Sequence, residues 1–326
     1  MIYILLVKMR QDLLNEVRET LVSAGFYVSD VFSMRPIGFD LLARRDNTLL
    51  IIKVLTNINA LPEDVAEELK ILSSLLDGHP LLIGQRTTLG LLEDDVVYDR
   101  FGIQAITVET LKHYLLDGVP PKVYAAPGGF YVNIDNEKLV ELRREKQLSL
   151  GAFARSLHVS RKTVQMYEEG MNARVDVALR MEDILGESII QPIDILHGNT
   201  PMEKPRKEFT PEKNEDTLQA EIFTILQHIG YTIIPMGRCP FEAVSKSEDR
   251  ILLTCVHRYD KRIIRKARIV SGIARVTEKK AVLFTDRRGS RDNIEGTPLI
   301  GRKELKSAKE PEDVIELVVE RLHQSS

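Results

Sequence analysis

The chain has 326 residues, 43% hydrophobic and 29% charged, with a formal net charge of −3, which suits two or three folded soluble domains and excludes a disordered or fibrous chain. No run of about 18 apolar residues occurs, and the start MIYILLVKMRQD lacks a basic region and a small-residue cleavage site, so neither a membrane helix nor a secretory signal is expected. Two cysteines, Cys239 and Cys255, give no disulfide framework, and a cytoplasmic protein is the reading.

Residues 1–118 read as α/β. Leu13, Leu14, Val17 and Leu21 have helical spacing, and Gly25 ends that helix. Phe26 to Val31, Phe39 to Ala43 and Leu49 to Leu55 then carry the β-branched and apolar bias of strands, with Asp46-Asn47 as the turn between the last two. A helix from Pro62 to Leu76, a buried strand from Leu81 to Gly84, a strand from Ile103 to Ile106 and a helix from Glu109 to Leu116 complete a sheet covered by helices. Residues 119–131, VPPKVYAAPGGFY, are rich in Pro and Gly and read as a linker.

Residues 132–196 read as a small helical domain. Leu150, Phe153, Ala154 and Leu157 fall at i, i+3, i+4 and i+7 of a helix that starts at Ser149. After the turn Leu157-His158-Val159, Ser160 is the N-cap of a second short helix that Gly170 ends. Val164 and Tyr167 point inward from it, while Arg161, Lys162, Gln165 and Glu168 fall on the opposite arc. Leu139 and Leu142 before, and Val175, Ala178, Leu179 and Leu185 after, supply the core. Two short helices in this arrangement make a helix-turn-helix, whose second helix enters the major groove of DNA. A helix-turn-helix used only for protein contacts, or an ordinary small helical bundle, is the alternative.

Residues 197–216 combine Pro with many charges and no apolar periodicity, and read as a flexible linker. Residues 217–326 repeat the order of the first domain. Gly25-Phe26-Tyr27-Val28 corresponds to Gly230-Tyr231-Thr232-Ile233, and Phe39-Asp40 to Phe241-Glu242. Leu81-Leu82-Ile83 matches Val282-Leu283-Phe284, and GIQAITVETL (102–111) aligns with GTPLIGRKEL (296–305). Charge is divided unevenly: residues 1–118 hold 11 Lys and Arg against 17 Asp and Glu, and residues 238–309 hold 19 against 9. A basic segment joined to a helix-turn-helix fits an electrostatic DNA footprint, and solvated helix faces fit it equally well.

The central segment resembles the Cro and phage-repressor (Xre-type) family through Leu142-Arg143, Ser149 to Ala154, Val159-Ser160 and Glu169-Gly170. The resemblance assigns Glu169 a role within the domain. It also marks a departure, since Leu150 stands where the family often has a Gln whose amide touches a phosphate. The α/β layout is similar to PD-(D/E)xK nucleases, in which two carboxylates hold Mg²⁺ beside an activating Lys. Asp40 and Lys53 occupy such places, but Ile51 replaces the second acid; in the later copy Glu242 remains, with Leu253 and Cys255 at the other two positions. Across nearly the full chain, Val123-Tyr124-Ala125, Gly128 to Val132, the helix-turn-helix and Pro192-Ile193-Asp194 resemble a family of archaeal transcriptional regulators.

The expected architecture is therefore α/β plus all-α: a central five-helix Cro/repressor-like domain flanked by two α/β domains resembling degenerate PD-(D/E)xK units. The expected function is a DNA-binding transcriptional regulator and not an enzyme; the alternatives are a structure-specific Mg²⁺-dependent nuclease and an adaptor for transcription machinery. Arg161, Lys162, Thr163 and Gln165 are the groove-facing candidates, and Ser149, Ser160 and Arg155 the phosphate contacts. Double-stranded DNA is the partner, in a homodimer that binds no membrane and needs no cofactor, with any small-molecule effector unidentified. Gly-x-Gly-x-x-Gly, Gly-x-x-x-x-Gly-Lys-Ser/Thr and His-Glu-x-x-His do not occur.

Overall fold

The computed structural model describes residues 2–30, 38–197, 208–210, 217–248 and 250–323. The chain divides into two compact units, one of Met1–Ala24, Leu55–Ala60 and Leu81–Asn199, the other of Gly25–Val54, Leu61–Pro80 and Thr200–Ser326.

The first α/β segment runs α1 (Ile2–Ser23), β1 (Tyr27–Val28), β2 (Leu41–Arg45), β3 (Thr48–Asn57), α2 (Glu63–Leu76), β4 (His79–Arg86), β5 (Val96–Arg100), β6 (Ile103–Ile106) and α3 (Val108–Leu115). Leu13, Leu14, Val17 and Leu21 on α1 are fully buried, as their spacing demands. Strands β1, β2 and β3 form an antiparallel meander, with Asp46 at φ 52° in the β2–β3 turn. The unbroken apolar run on β3 is buried on both faces from Leu49 to Ile52. Strand β1 is shorter than Phe26 to Val31, and Val31 lies outside the described residues. Strand β5 was not legible, because Val96-Val97-Tyr98 sits between acidic residues and is too short for alternation to show.

The central segment contains β7 (Val123–Ala126), β8 (Gly129–Ile134), α4 (Asn136–Glu145), α5 (Leu150–Leu157), α6 (Arg161–Glu168), β9 (Ala173–Arg174), α7 (Val175–Leu185) and β10 (Ile190–Gln191). It has four helices where five were expected: Gly186 ends α7 at φ 75°, and the chain then pairs as β10 just before Pro192, which has no N–H to continue a helix. The expected linker 119–131 is also corrected. Its Gly128 and Gly129, at φ 97° and 134°, form the turn of the β7–β8 hairpin. Strand β7 pairs parallel with β5, which joins the helical domain to the preceding sheet within one unit. Most of the expected linker 197–216 lies outside the described residues.

The second α/β segment runs α8 (Leu218–His228), β11 (Thr232–Pro235), β12 (Ala243–Ser247), β13 (Arg250–His257), α9 (Ile263–Thr277), β14 (Lys280–Thr285), β15 (Asn293–Ile294), β16 (Thr297–Gly301), α10 (Arg302–Leu305) and α11 (Pro311–His323). Its strands lie in the order β11-β12-β13-β14-β16-β15. Pairings in the two α/β segments correspond position by position. Leu41 faces Ile52 as Ala243 faces Thr254, and Ile83 faces Ile106 as Phe284 faces Ile300. Both final hairpins turn through two positive-φ residues, Phe101-Gly102 and Glu295-Gly296.

One polar feature recurs as well. Asp40, 6% exposed, accepts a hydrogen bond from the Val54 N–H at 2.8 Å and pairs with Lys53 at 3.5 Å. Glu242 accepts from the Val256 N–H at 2.7 Å, fourteen residues on as in the first segment, and pairs with Lys266 of α9. Lys266 is 8% exposed and also donates to the Val256 carbonyl at 3.1 Å. Asp40→Ala is expected to cost about 2–4 kcal/mol in urea unfolding, by orphaning an N–H and removing a carboxylate beside Lys53. Glu242→Ala is expected to cost about 3–5 kcal/mol, because it orphans an N–H and takes the carboxylate from the more deeply buried Lys266.

Candidate nucleic-acid interface

Each helix of the central domain begins at a capping side chain or an extended residue and ends where the backbone can turn. Asp135 accepts from the Lys138 N–H at 2.9 Å to start α4, and Ser149 accepts from the Ala152 N–H at 3.1 Å to start α5. His158 ends α5 in the left-handed region at φ 57°, and the Val159 N–H returns to the Ala154 carbonyl at 3.0 Å. Ser160 then starts α6, accepting from the Thr163 N–H at 3.0 Å with its hydroxyl 2.7 Å from the Thr163 hydroxyl. This spacing turns the chain sharply between α5 and α6 in three residues.

The core under this turn is closed. Leu139, Phe153, Leu157, Val164, Ala178 and Met181 are each fully buried in one cluster. Leu179, expected in that core, is 50% exposed, and Val177 and Met181 take its place. Because α7 starts at Val175, its inward stripe runs Val177, Ala178, Met181 and Leu185, and Leu179 lies one residue, or about 100°, off it. Strand β8 fastens both exits: Ala173 of β9 pairs with Val132, and Ile190 of β10 pairs with Ile134.

On α6, Arg161, Lys162 and Gln165 are exposed and Thr163 is half-buried. Arg155, on α5, is exposed too. Among the described residues, none of Arg155, Arg161 and Lys162 has an ion-pair partner. The hydroxyls of Ser149 and Ser160 serve as the caps of α5 and α6. Gln165 donates through Nε2 to Glu169 Oε1 at 2.9 Å, so its amide is held by a neighbour one turn on.

Glu168 was expected to face outward and Glu169 to serve within the domain; the two roles are exchanged. Glu168 forms a two-pronged pair with Arg143, whose Nε and Nη2 donate to its carboxylate at 2.5 and 3.2 Å. The two side chains are only 10% and 14% exposed, and Arg143 Nη1 also donates to the Leu148 carbonyl at 2.7 Å. Position explains this. Glu168 lies four residues after the buried Val164, on the same face of α6, whereas Glu169 lies beyond its last turn.

Of the two nuclease-like positions, each segment keeps one paired carboxylate, and the second is apolar: Ile51 and Leu253 are both fully buried. Lys266 had no visible signal, since it reaches Glu242 from a helix rather than from the strand pattern. Cys255 is fully buried, and burial pushes its thiol well up, away from the nucleophilic thiolate.

Comparison with known proteins matches residues 10–121 to a PD-(D/E)XK superfamily domain and residues 139–190 to a helix-turn-helix family. A protein of Methanosarcina mazei named "Putative HTH-type transcriptional regulatory protein" is 38% identical over 320 residues, which cover 96% of this chain and 98% of the relative. A protein of the same name from Methanococcoides burtonii is 39% identical over 318 residues, 95% of this chain and 96% of its own. A similarly named protein of Haloquadratum walsbyi is 37% identical over 318 residues, covering 96% and 97%. No solved structure matches the chain.

The exchanged glutamate roles are testable by unfolding measurements. Glu168→Ala leaves Arg143 desolvated without its partner and is expected to cost about 3–5 kcal/mol. Glu169→Ala removes only an exposed contact and is expected to stay within about 0.5 kcal/mol of the parent.

Proposed function

The chain belongs to the archaeal family of helix-turn-helix transcriptional regulatory proteins, and we propose that, as a DNA-binding regulator of this family, it reads duplex DNA with α6. The observation that carries this is the outward side of α6, where Arg161, Lys162 and Gln165 stand exposed over a closed core. Arginine makes a two-pronged contact to guanine and glutamine to adenine. Lys162 and Thr163 complete the groove-facing set. Ser149, Ser160 and Arg155 contact phosphates, the serines through the first N–H groups of α5 and α6 as well as their hydroxyls.

The functional segments are residues 1–118, 132–196 and 217–326. The third is a second copy of the first, supported by matching register, paired turns and the recurring acid-to-backbone bond. Neither copy is catalytic. The PD-(D/E)xK arrangement holds Mg²⁺ between two carboxylates, and in each copy the second position is a buried aliphatic side chain. The remaining acid has become a structural acceptor for the hairpin. One helix-turn-helix buries only about 600–1,000 Å² on DNA, so a homodimer reading two half-sites is the working assembly.

Arg161→Ala and Gln165→Ala are each expected to weaken binding to a selected site by about 1–3 kcal/mol while leaving random duplex nearly unaffected, as read by mobility shift. Equal losses on both DNAs would show that these side chains read no bases. Incubation of the protein with Mg²⁺ and duplex or branched DNA is expected to give no cleavage. Light scattering is expected to give twice the chain mass.

A further inference from the structure

Two loops of the second α/β segment, 257–265 after β13 and 285–292 after β14, carry seven Lys and Arg against three Asp. All three aspartates are already engaged. Asp260 accepts from the Arg262 N–H at 2.7 Å, Asp286 accepts from the Tyr259 N–H at 2.8 Å, and Asp292 pairs with Arg288 at 3.3 Å. Arg258, Lys261, Arg262, Arg287 and Arg291 are exposed, and among the described residues none of them has an ion-pair partner. Lys261, Arg287 and Arg291 line a crevice of about 340 Å³ together with Tyr259, Asp260 and Ile264, and Arg258 and Arg262 adjoin it in sequence.

The loops are built rather than loose. Tyr259 ties them through its N–H to Asp286, and its hydroxyl lies 3.4 Å from the Ser290 hydroxyl. Gly289 fits against the Tyr259 ring so closely that a Cβ there would collide with it, and the Arg287 guanidinium stands 6.0 Å from the ring centroid. A ring held this way offers a poor stacking platform for a base. Five cations over two loops also exceed what a mononucleotide's phosphates require. The chemistry that fits is a row of backbone phosphates.

We propose that this crevice is a second DNA-contact surface, which grips the phosphate backbone of duplex DNA without reading sequence. It rests on the chain being a duplex-DNA binder, and it does not depend on α6 being the reader. Each phosphate neutralised contributes about −0.9 to the slope of log affinity against log salt.

The test uses the full chain on a random duplex and on a site selected from a random library, across a salt series. The variant Lys261→Ala/Arg287→Ala/Arg291→Ala should flatten the slope by about 2–3 and leave the preference for the selected site intact. The charge-keeping variant Lys261→Arg/Arg287→Lys/Arg291→Lys should keep the parent slope. An unchanged slope in the alanine variant with a parent-like circular dichroism spectrum overturns the proposal. So does a loss of ATP binding in that variant with the DNA slope intact, which would make the crevice a nucleotide site. If the parent shows no site preference but the alanine variant still flattens its slope, the crevice stands and the α6 reading fails. Conversely, Arg161→Ala/Gln165→Ala should lose the preference and retain most of the slope.

Discussion

The attitude of α6 depends on one desolvated ion pair. Arg143 leaves α4, crosses beneath α6 and holds both oxygens of Glu168, while its third nitrogen takes the Leu148 carbonyl ahead of α5. A guanidinium is suited to this because its donors are fixed in a plane and meet a carboxylate in two places at once. A pair this buried gains little net stability over an apolar substitute, since desolvation opposes the attraction. Its value is orientation. It pins the C-terminal turn of α6 to α4, so that the opposite arc, Arg161, Lys162 and Gln165, has only one direction to face.

Around that pair, strand β8 acts as a rail. Ala173 follows α6 and Ile190 follows α7, and both return to successive positions on β8. The other edge of β8 pairs with β7, which pairs with β5 of the preceding sheet. The frame of the helix-turn-helix is thereby backbone-bonded to an α/β sheet. Asn172, in the loop leaving α6, donates to the Tyr124 hydroxyl at 2.8 Å, and Tyr124 packs against Tyr131. The end of α6 is therefore coupled to the hairpin through side chains as well as through β9.

What was legible in the sequence follows from what each signal measures. Periodicity located α5, α6 and the buried face of α1, because a wide apolar stripe leaves a period of 3.6 in the residues themselves. The shared strand order of the two α/β segments was legible because strand runs, turn glycines and one acid keep the same spacing in both. The β7–β8 hairpin was misread as a linker because Pro and Gly mark any chain reversal, whether or not strands flank it. The exchange of Glu168 and Glu169 escaped because they are neighbours of identical chemistry, and only the pitch of α6 decides which meets Arg143. Lys266 escaped for a different reason: a charge on a helix reads as solvated until the fold brings Glu242 beneath it.

Both α/β segments place a carboxylate at the mouth of a hairpin, a largely buried charge that needs compensation. In both segments it has an N–H fourteen residues on and a lysine beside it, so the hairpin closes around the acid. Ile51 and Leu253 fill the interior with an aliphatic side chain where a second charge would have to be solvated. The carboxylate is thus explained by the fold alone. The uneven charge is not explained that way: Arg258, Lys261, Arg262 and Arg291 are exposed on two loops and have no ion-pair partner among the described residues. Sequence reading by one short helix supplies discrimination but little hold, whereas phosphate contacts supply hold without discrimination. In the proposed reading α6 supplies the first and the basic loops of the second α/β segment supply the second.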